Sequence, residues 1–228
     1  MRSTSDMKSS VASARLARRH RSLDQIGRHR LPRIATVPAL TGLPLCVAGI
    51  VVVGFITPGY NPVRWSVSTL VLAGTAESIA MTGLFVLLGL SVAMAGTLLG
   101  AGEPAGRRAA LFLVLAGMGL LAVAAVSRGA GPGLRTDAHR LVAAAALLLF
   151  ALAPALAGYG LRSSPHARAV GTASWVATGL SAAVLVAGGV PFLLGVPIGG
   201  LVERAFVGVD LAWLEGTLIW LTFGNRAP

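Results

Sequence analysis

Ionisable and hydroxyl side chains are scarce in this sequence, and those able to do chemistry fall into three groups. Thr136-Asp137-Ala138-His139-Arg140 places an acid two residues from an imidazole. That pair suits proton sharing, and Ser66 or Ser68 would supply a nucleophile if the fold brought them within hydrogen-bond reach. Tyr60, Asn61, Arg64, Trp65, Ser66 and Ser68 form the second group. Arg64 with the serines would make a ligand surface; Tyr60 and Trp65 equally suit a loop anchored at a membrane interface. The third group is Glu203-Arg204, with Asp210 and Glu215 beyond it in an apolar run.

Each group also has a plain structural reading. Asp137 suits a helix N-cap, where its carboxylate accepts an orphan backbone N–H. Glu203 and Arg204 would form a rim ion pair, or Arg204 would pair with Asp137 or Glu77 on another helix. Glu203 and Asp210 are seven apart and share a helix face with Thr217. Arg204 and Glu215 share another, about 16 Å apart at 1.5 Å per residue. Charged groups in hydrocarbon cost about 2.5–3.5 kcal/mol each, so Asp210 and Glu215 are functional candidates by default. No metal is expected: two ligands do not make a zinc site, and His20, His29 and His166 lie elsewhere in the sequence. No cofactor motif is present.

The elements that must position these groups are membrane helices. The chain has 228 residues, 55% hydrophobic and 12% charged, with a mean hydropathy of +0.77. Soluble domains carry about 25% charged residues, so this chain could not cover a water-facing surface. A bilayer core needs about 20 helical residues per crossing, and six such spans are predicted: 37–56, 77–99, 109–127, 139–160, 169–189 and 202–223. Backbone groups in lipid must be satisfied within each segment, which selects helices. The fold class is therefore an all-α polytopic bundle. Gly83, Gly89, Gly96, Gly117 and Gly119 predict close helix packing, and Pro154 is tolerable within its span.

Lys and Arg number 19 against 8 acids. Six arginines from Arg18 to Arg33 place the N-terminus in the cytoplasm by the positive-inside rule, and six spans return the C-terminus to the same side. Outside that arm the arginines divide evenly between the two sides. The arm, 1–35, is basic and Ser-rich and is expected to be disordered, with a short helix at 11–19. It suits anionic lipid headgroups rather than nucleic acid. Arg18-Arg19 invites an export-signal reading, which the long arm, full-length first span and missing cleavage site oppose. Residues 225–228 are a short tail. The lone Cys46 excludes an internal disulfide and reads as a small apolar residue. The preference for Arg over Lys, with abundant Ala, Gly and Val, points to a GC-rich bacterial genome, hence to a bacterial plasma membrane.

The outer loops are 57–76, 128–138 and 190–201. The last is apolar with two prolines and is expected to dip into the membrane or lie on it. The inner turns read as short and plain. Three segments, Tyr60–Leu70 (YNPVRWSVSTL), Asp137-x-His139 and Gly200–Arg204 (GLVER), together with six spans, resemble the bacterial membrane family called "domain of unknown function 998". The resemblance would cover about 38–224. It implies a bundle with family-like residues at the outer ends of helices one, four and six, and no particular activity. The first expectation is a non-enzymatic bundle that binds lipid or a partner membrane protein through an outward polar site made of Arg64, Asp137, His139, Glu203, Arg204 and Asp210. Alternatives are a small-solute or ion transporter using Asp210 and Glu215, and an intramembrane hydrolase using Ser66 or Ser68, His139 and Asp137.

Overall fold

A computed structural model describes residues 33–72, 75–126, 128 and 132–224. The expected short helix at 11–19, the arm as far as residue 32 and the C-terminal tail lie outside these residues, while 33–35, expected to be disordered, are the start of the first helix. Six long helices follow in order: α1 (Arg33–Ile56), α2 (Ala76–Gly102), α3 (Arg107–Ala125), α4 (Leu134–Leu161), α5 (Arg168–Leu193) and α6 (Gly199–Phe223). All six are long and apolar enough to cross a membrane. Among the described residues there is no strand, only an isolated bridge between Leu72 and Arg128. The chain is a multi-pass helical membrane protein.

Seven hydroxyl side chains inside the spans donate within their own helix. Thr41, Thr82, Thr172, Ser174, Thr178, Thr217 and Thr222 each donate to the carbonyl four residues back. This is the response expected where no water is available to pair a polar group.

Close approach at glycine fixes the centre of the bundle. A Cβ on Gly117 would lie 2.5 Å from the Gly89 carbonyl oxygen and 2.6 Å from the Ala93 nitrogen. A Cβ on Gly96 would lie 2.8 Å from the Ala110 carbonyl, and one on Gly119 2.8 Å from the Ala146 methyl. Hence α2, α3 and α4 pack nearly backbone to backbone, as small residues permit in membranes. Gly83 is different: nothing lies within 4 Å of its Cβ position. It contributes no helix contact of this kind.

Two element ends differ from expectation. Helix α4 starts at Leu134 behind Gly133, whose φ of +148° suits glycine. Asp137 is thus inside the first turn, and its backbone N–H bonds the Gly133 carbonyl. It is not an N-cap. The 190–201 segment is mostly helical. Helix α5 runs through Pro191 and stops at Gly195, φ +77°, where Val196 N–H bonds the Pro191 carbonyl at 3.0 Å. That six-to-one bond around a left-handed glycine is a Schellman stop. It leaves only residues 194–198 to connect α5 with α6 and no room for a re-entrant excursion.

Gly117→Ala is expected to destabilise the folded protein by about 1–3 kcal/mol, the usual cost of overpacking, whereas Gly83→Ala should leave stability unchanged. Thermal unfolding of both variants in one detergent checks this; equal melting temperatures would refute the packing assignment.

Candidate functional site

The segments around Tyr60 and Gly200 are two halves of one joint. One terminal nitrogen of the Arg204 guanidinium donates to the carbonyls of Pro62 (2.7 Å), Gly200 (3.0 Å) and Trp65 (3.1 Å). The other donates to the Tyr60 hydroxyl. The charge also lies 5.5 Å from the centre of the Tyr60 ring, within cation–π range. The Tyr60 hydroxyl in turn faces the carbonyls of Trp65 and Ser66, each at 3.1 Å. Leu201 N–H bonds the Val63 carbonyl at 3.0 Å. Gly200 must be glycine here, because a Cβ would run into the carbonyls of Trp65 and Pro62.

Glu203 completes the joint from the next position. Its carboxylate accepts the Val67 N–H at 3.0 Å, at the start of a 3₁₀ turn over Val67–Val71. Within the loop, Asn61 Oδ1 accepts the N–H groups of Val63 and Arg64, and the Ser66 and Ser68 hydroxyls bond each other at 2.9 Å. The Arg204 guanidinium takes carbonyl oxygens and a phenol, not the expected carboxylates of Asp137 or Glu77. A planar fork of donors can gather several carbonyls where a loop leaves them unpaired.

The remaining predicted residues do not join this cluster. Arg64 is exposed. Asp137 is exposed and pairs with Arg140 at 3.7 Å. His139 is buried, with Nδ1 2.6 Å from the Val126 carbonyl, so Nδ1 carries the hydrogen. Its Nε2 is buried without a partner. No hydrogen bond links Ser66 or Ser68 to His139 or Asp137. Asp210 is fully buried; Ser181 donates to its Oδ1 at 2.8 Å, and Oδ2 has no partner. Glu215 is half-buried and its Oε2 is also unpaired.

The far end of the bundle holds a cluster that sequence reading passed over. Glu103, in the turn between α2 and α3, is 3% exposed. Its Oε1 lies 2.6 Å from His166 Nε2, in the turn between α4 and α5. The Ser164 hydroxyl lies 3.0 Å from His166 Nδ1. The imidazole stacks on Trp220 of α6, centroids 6.4 Å apart. Glycine again sets the geometry: a Cβ on Gly160 would collide with the Ala105 carbonyl, and one on Gly171 would lie 2.6 Å from the Arg162 nitrogen. These contacts bring the two turns together. The available signal was an acid and a Ser-x-His in turns that even-numbered helix counting puts on one side.

The model of a family described as "Protein of unknown function (DUF998)" matches residues 40–219. This chain belongs to that family. No curated protein and no solved structure matches it. The DUF998 segment contains both halves of the joint, and Glu103, Ser164 and His166 as well.

Arg204→Ala should release residues 60–71, at about 1.5–3 kcal/mol for the lost charged hydrogen bonds. Hydrogen exchange of those amides should rise, and Arg204→Lys should not restore protection because an ammonium lacks the fork. Unchanged exchange in Arg204→Ala would show that the loop holds without the joint.

Proposed function

We propose that this DUF998 protein is a lipid-binding bundle of the plasma membrane and that an acyl chain of the lipid lies between α5 and α6. The observation that carries this reading is a groove of about 530 Å³ between those helices. Ala169, Ala173, Ala177 and Leu180 form one wall, and Ala212 and Gly216 part of the other. Thr217 also lines it, but its hydroxyl donates to the Trp213 carbonyl of its own helix. Nothing polar is left to hold water or a hydrophilic solute. In a bilayer the matching occupant is hydrocarbon.

Size and charge support a phospholipid. Ala169 to Leu180 spans about 16 Å at 1.5 Å per residue. That is about half of a ~30 Å hydrocarbon core, the depth of one leaflet. At the Ala169 end the neighbouring Arg162 and Arg168 are exposed cations, suited to an anionic headgroup. The positive-inside count supports the inner leaflet, with both chain ends cytoplasmic. The transporter reading rests on the unpaired oxygens of Asp210 and Glu215, and neither residue lines this groove.

Native mass spectrometry of the purified protein should show retained phospholipid. Ala173→Trp and Gly216→Leu, which fill the groove, should lower the retained fraction at least about tenfold, while Leu141→Trp on the exposed face of α4 should not. Equal retention in all four proteins, or a second protein chain in place of lipid, would overturn the proposal. A tenfold loss corresponds to about 1.4 kcal/mol of binding.

A further inference from the structure

The Ser164–His166–Glu103 chain contains more than a structural tie would need. A pin between the two turns requires only Glu103 and His166. The serine on the second ring nitrogen adds nothing to that pin, yet it supplies a nucleophile, a base and an orienting acid in series. Both links, 3.0 and 2.6 Å, are within hydrogen-bond reach, the diagnostic arrangement for an activated nucleophile. As a carboxylate, Glu103 only accepts. Nε2 therefore carries the ring hydrogen and Nδ1 is the acceptor for the Ser164 O–H. Glu103 is buried and the side chain of His166 is 60% exposed, so the orienting group is fixed inside while the base reaches the surface beside half-buried Ser164.

The apolar groove begins close to this series along the sequence. Ala169, at its end, is three residues past His166 and lies in the first turn of α5. Gly216 and Thr217, on the opposite wall, are about one turn before Trp220, on which the imidazole stacks. An acyl chain lying in the groove would present its ester linkage at this end of the bundle. We propose that Ser164, His166 and Glu103 form a hydrolytic centre for an acyl ester whose chain occupies the α5–α6 groove. The proposal rests on the lipid-binding reading for its substrate class, and it departs from the expectation of a non-enzymatic bundle.

The chemistry balances with water as the co-reactant. Ser164 Oγ attacks the ester carbonyl carbon while its proton passes to His166 Nδ1, and Glu103 stabilises the imidazolium through Nε2–H. Helix α5 begins two residues beyond His166, and in this proposal its first-turn N–H groups and the Arg168 charge stabilise the oxyanion. The carbon–oxygen bond to the alcohol breaks, and the alcohol takes the proton from Nδ1. Water then gives a proton to Nδ1 and its oxygen to the acyl carbon, and Ser164 leaves with that proton. One ester and one water yield one carboxylic acid and one alcohol.

The test uses the full-length protein in nanodiscs with p-nitrophenyl palmitate as substrate and a fluorophosphonate as serine probe. Wild type should release p-nitrophenol, and peptide mapping should find the adduct on Ser164. Ser164→Ala and His166→Gln should lose at least about 100-fold in turnover, the scale of acid–base catalysis. Glu103→Gln should lower kcat and alter its pH profile with KM unchanged. Ser163→Ala, whose hydroxyl only bonds the Gly160 carbonyl, should behave as wild type. Absence of an adduct, an adduct on another serine, or full turnover in Ser164→Ala would overturn the centre. The two readings separate by lipid retention: a protein that retains lipid but neither labels nor turns over keeps the groove and loses the centre. Ala173→Trp should abolish palmitate but not acetate ester turnover; unchanged palmitate turnover would instead remove the groove as substrate site.

Discussion

Hydrocarbon offers no hydrogen bonds, and every polar group carried into it has to find a partner within the protein. Much of this structure follows from that constraint. Carbonyl acceptors within the same helix explain how seven threonine and serine hydroxyls place their hydrogens inside apolar spans. The same constraint acts on the segment between α1 and α2, which makes few backbone bonds of its own. Its carbonyls at Pro62 and Trp65 are taken up by one guanidinium, and its Val67 N–H by one carboxylate. Two adjacent charges at the start of α6 thereby tie down a loop far away in sequence.

The two ends of the bundle use polar residues differently. At the joint, Arg204 has several acceptors and Glu203 has a donor, so their capacity is largely taken by the protein itself. At the far end, the Glu103–His166–Ser164 series ends at a half-buried serine, and the apolar groove begins at Ala169, three residues past His166. A site that binds and transforms a ligand needs unsaturated groups beside a space of the right character. The far end combines those properties, while the joint supplies rigidity. Asp210 belongs to neither end; Ser181 engages one of its oxygens and ties α5 to α6 beside the groove-forming faces.

Helix count and approximate placement were legible because they depend on local quantities. A run of about 20 apolar residues is a span whatever surrounds it, and all six predicted spans fall on observed helices. Ends were less legible. Leu134–Ala138 joined α4 although its composition reads as loop, since Gly133 starts the helix one turn early. Residues 190–193 joined α5 because Pro191 lies in a turn closed by Gly195. Among the glycines, Gly89, Gly96, Gly117 and Gly119 pack as their spacing implied, but Gly83 faces open space. Spacing on one helix does not say where the neighbouring helix lies.

The sequence by itself determined that this is a six-helix membrane bundle of its family, because hydropathy and segment length are properties of the chain alone. It also determined which residue types were available for chemistry. Tertiary structure decided their partners. Arg204 meets Tyr60 across 144 residues, and Glu103 meets His166 across 63; no local pattern encodes either encounter. Asp137 and His139, close in sequence, turn to different partners. Proximity along a helix fixes direction only to within its own turn, whereas a hydrogen bond depends on the packing of separate helices to a few tenths of an ångström.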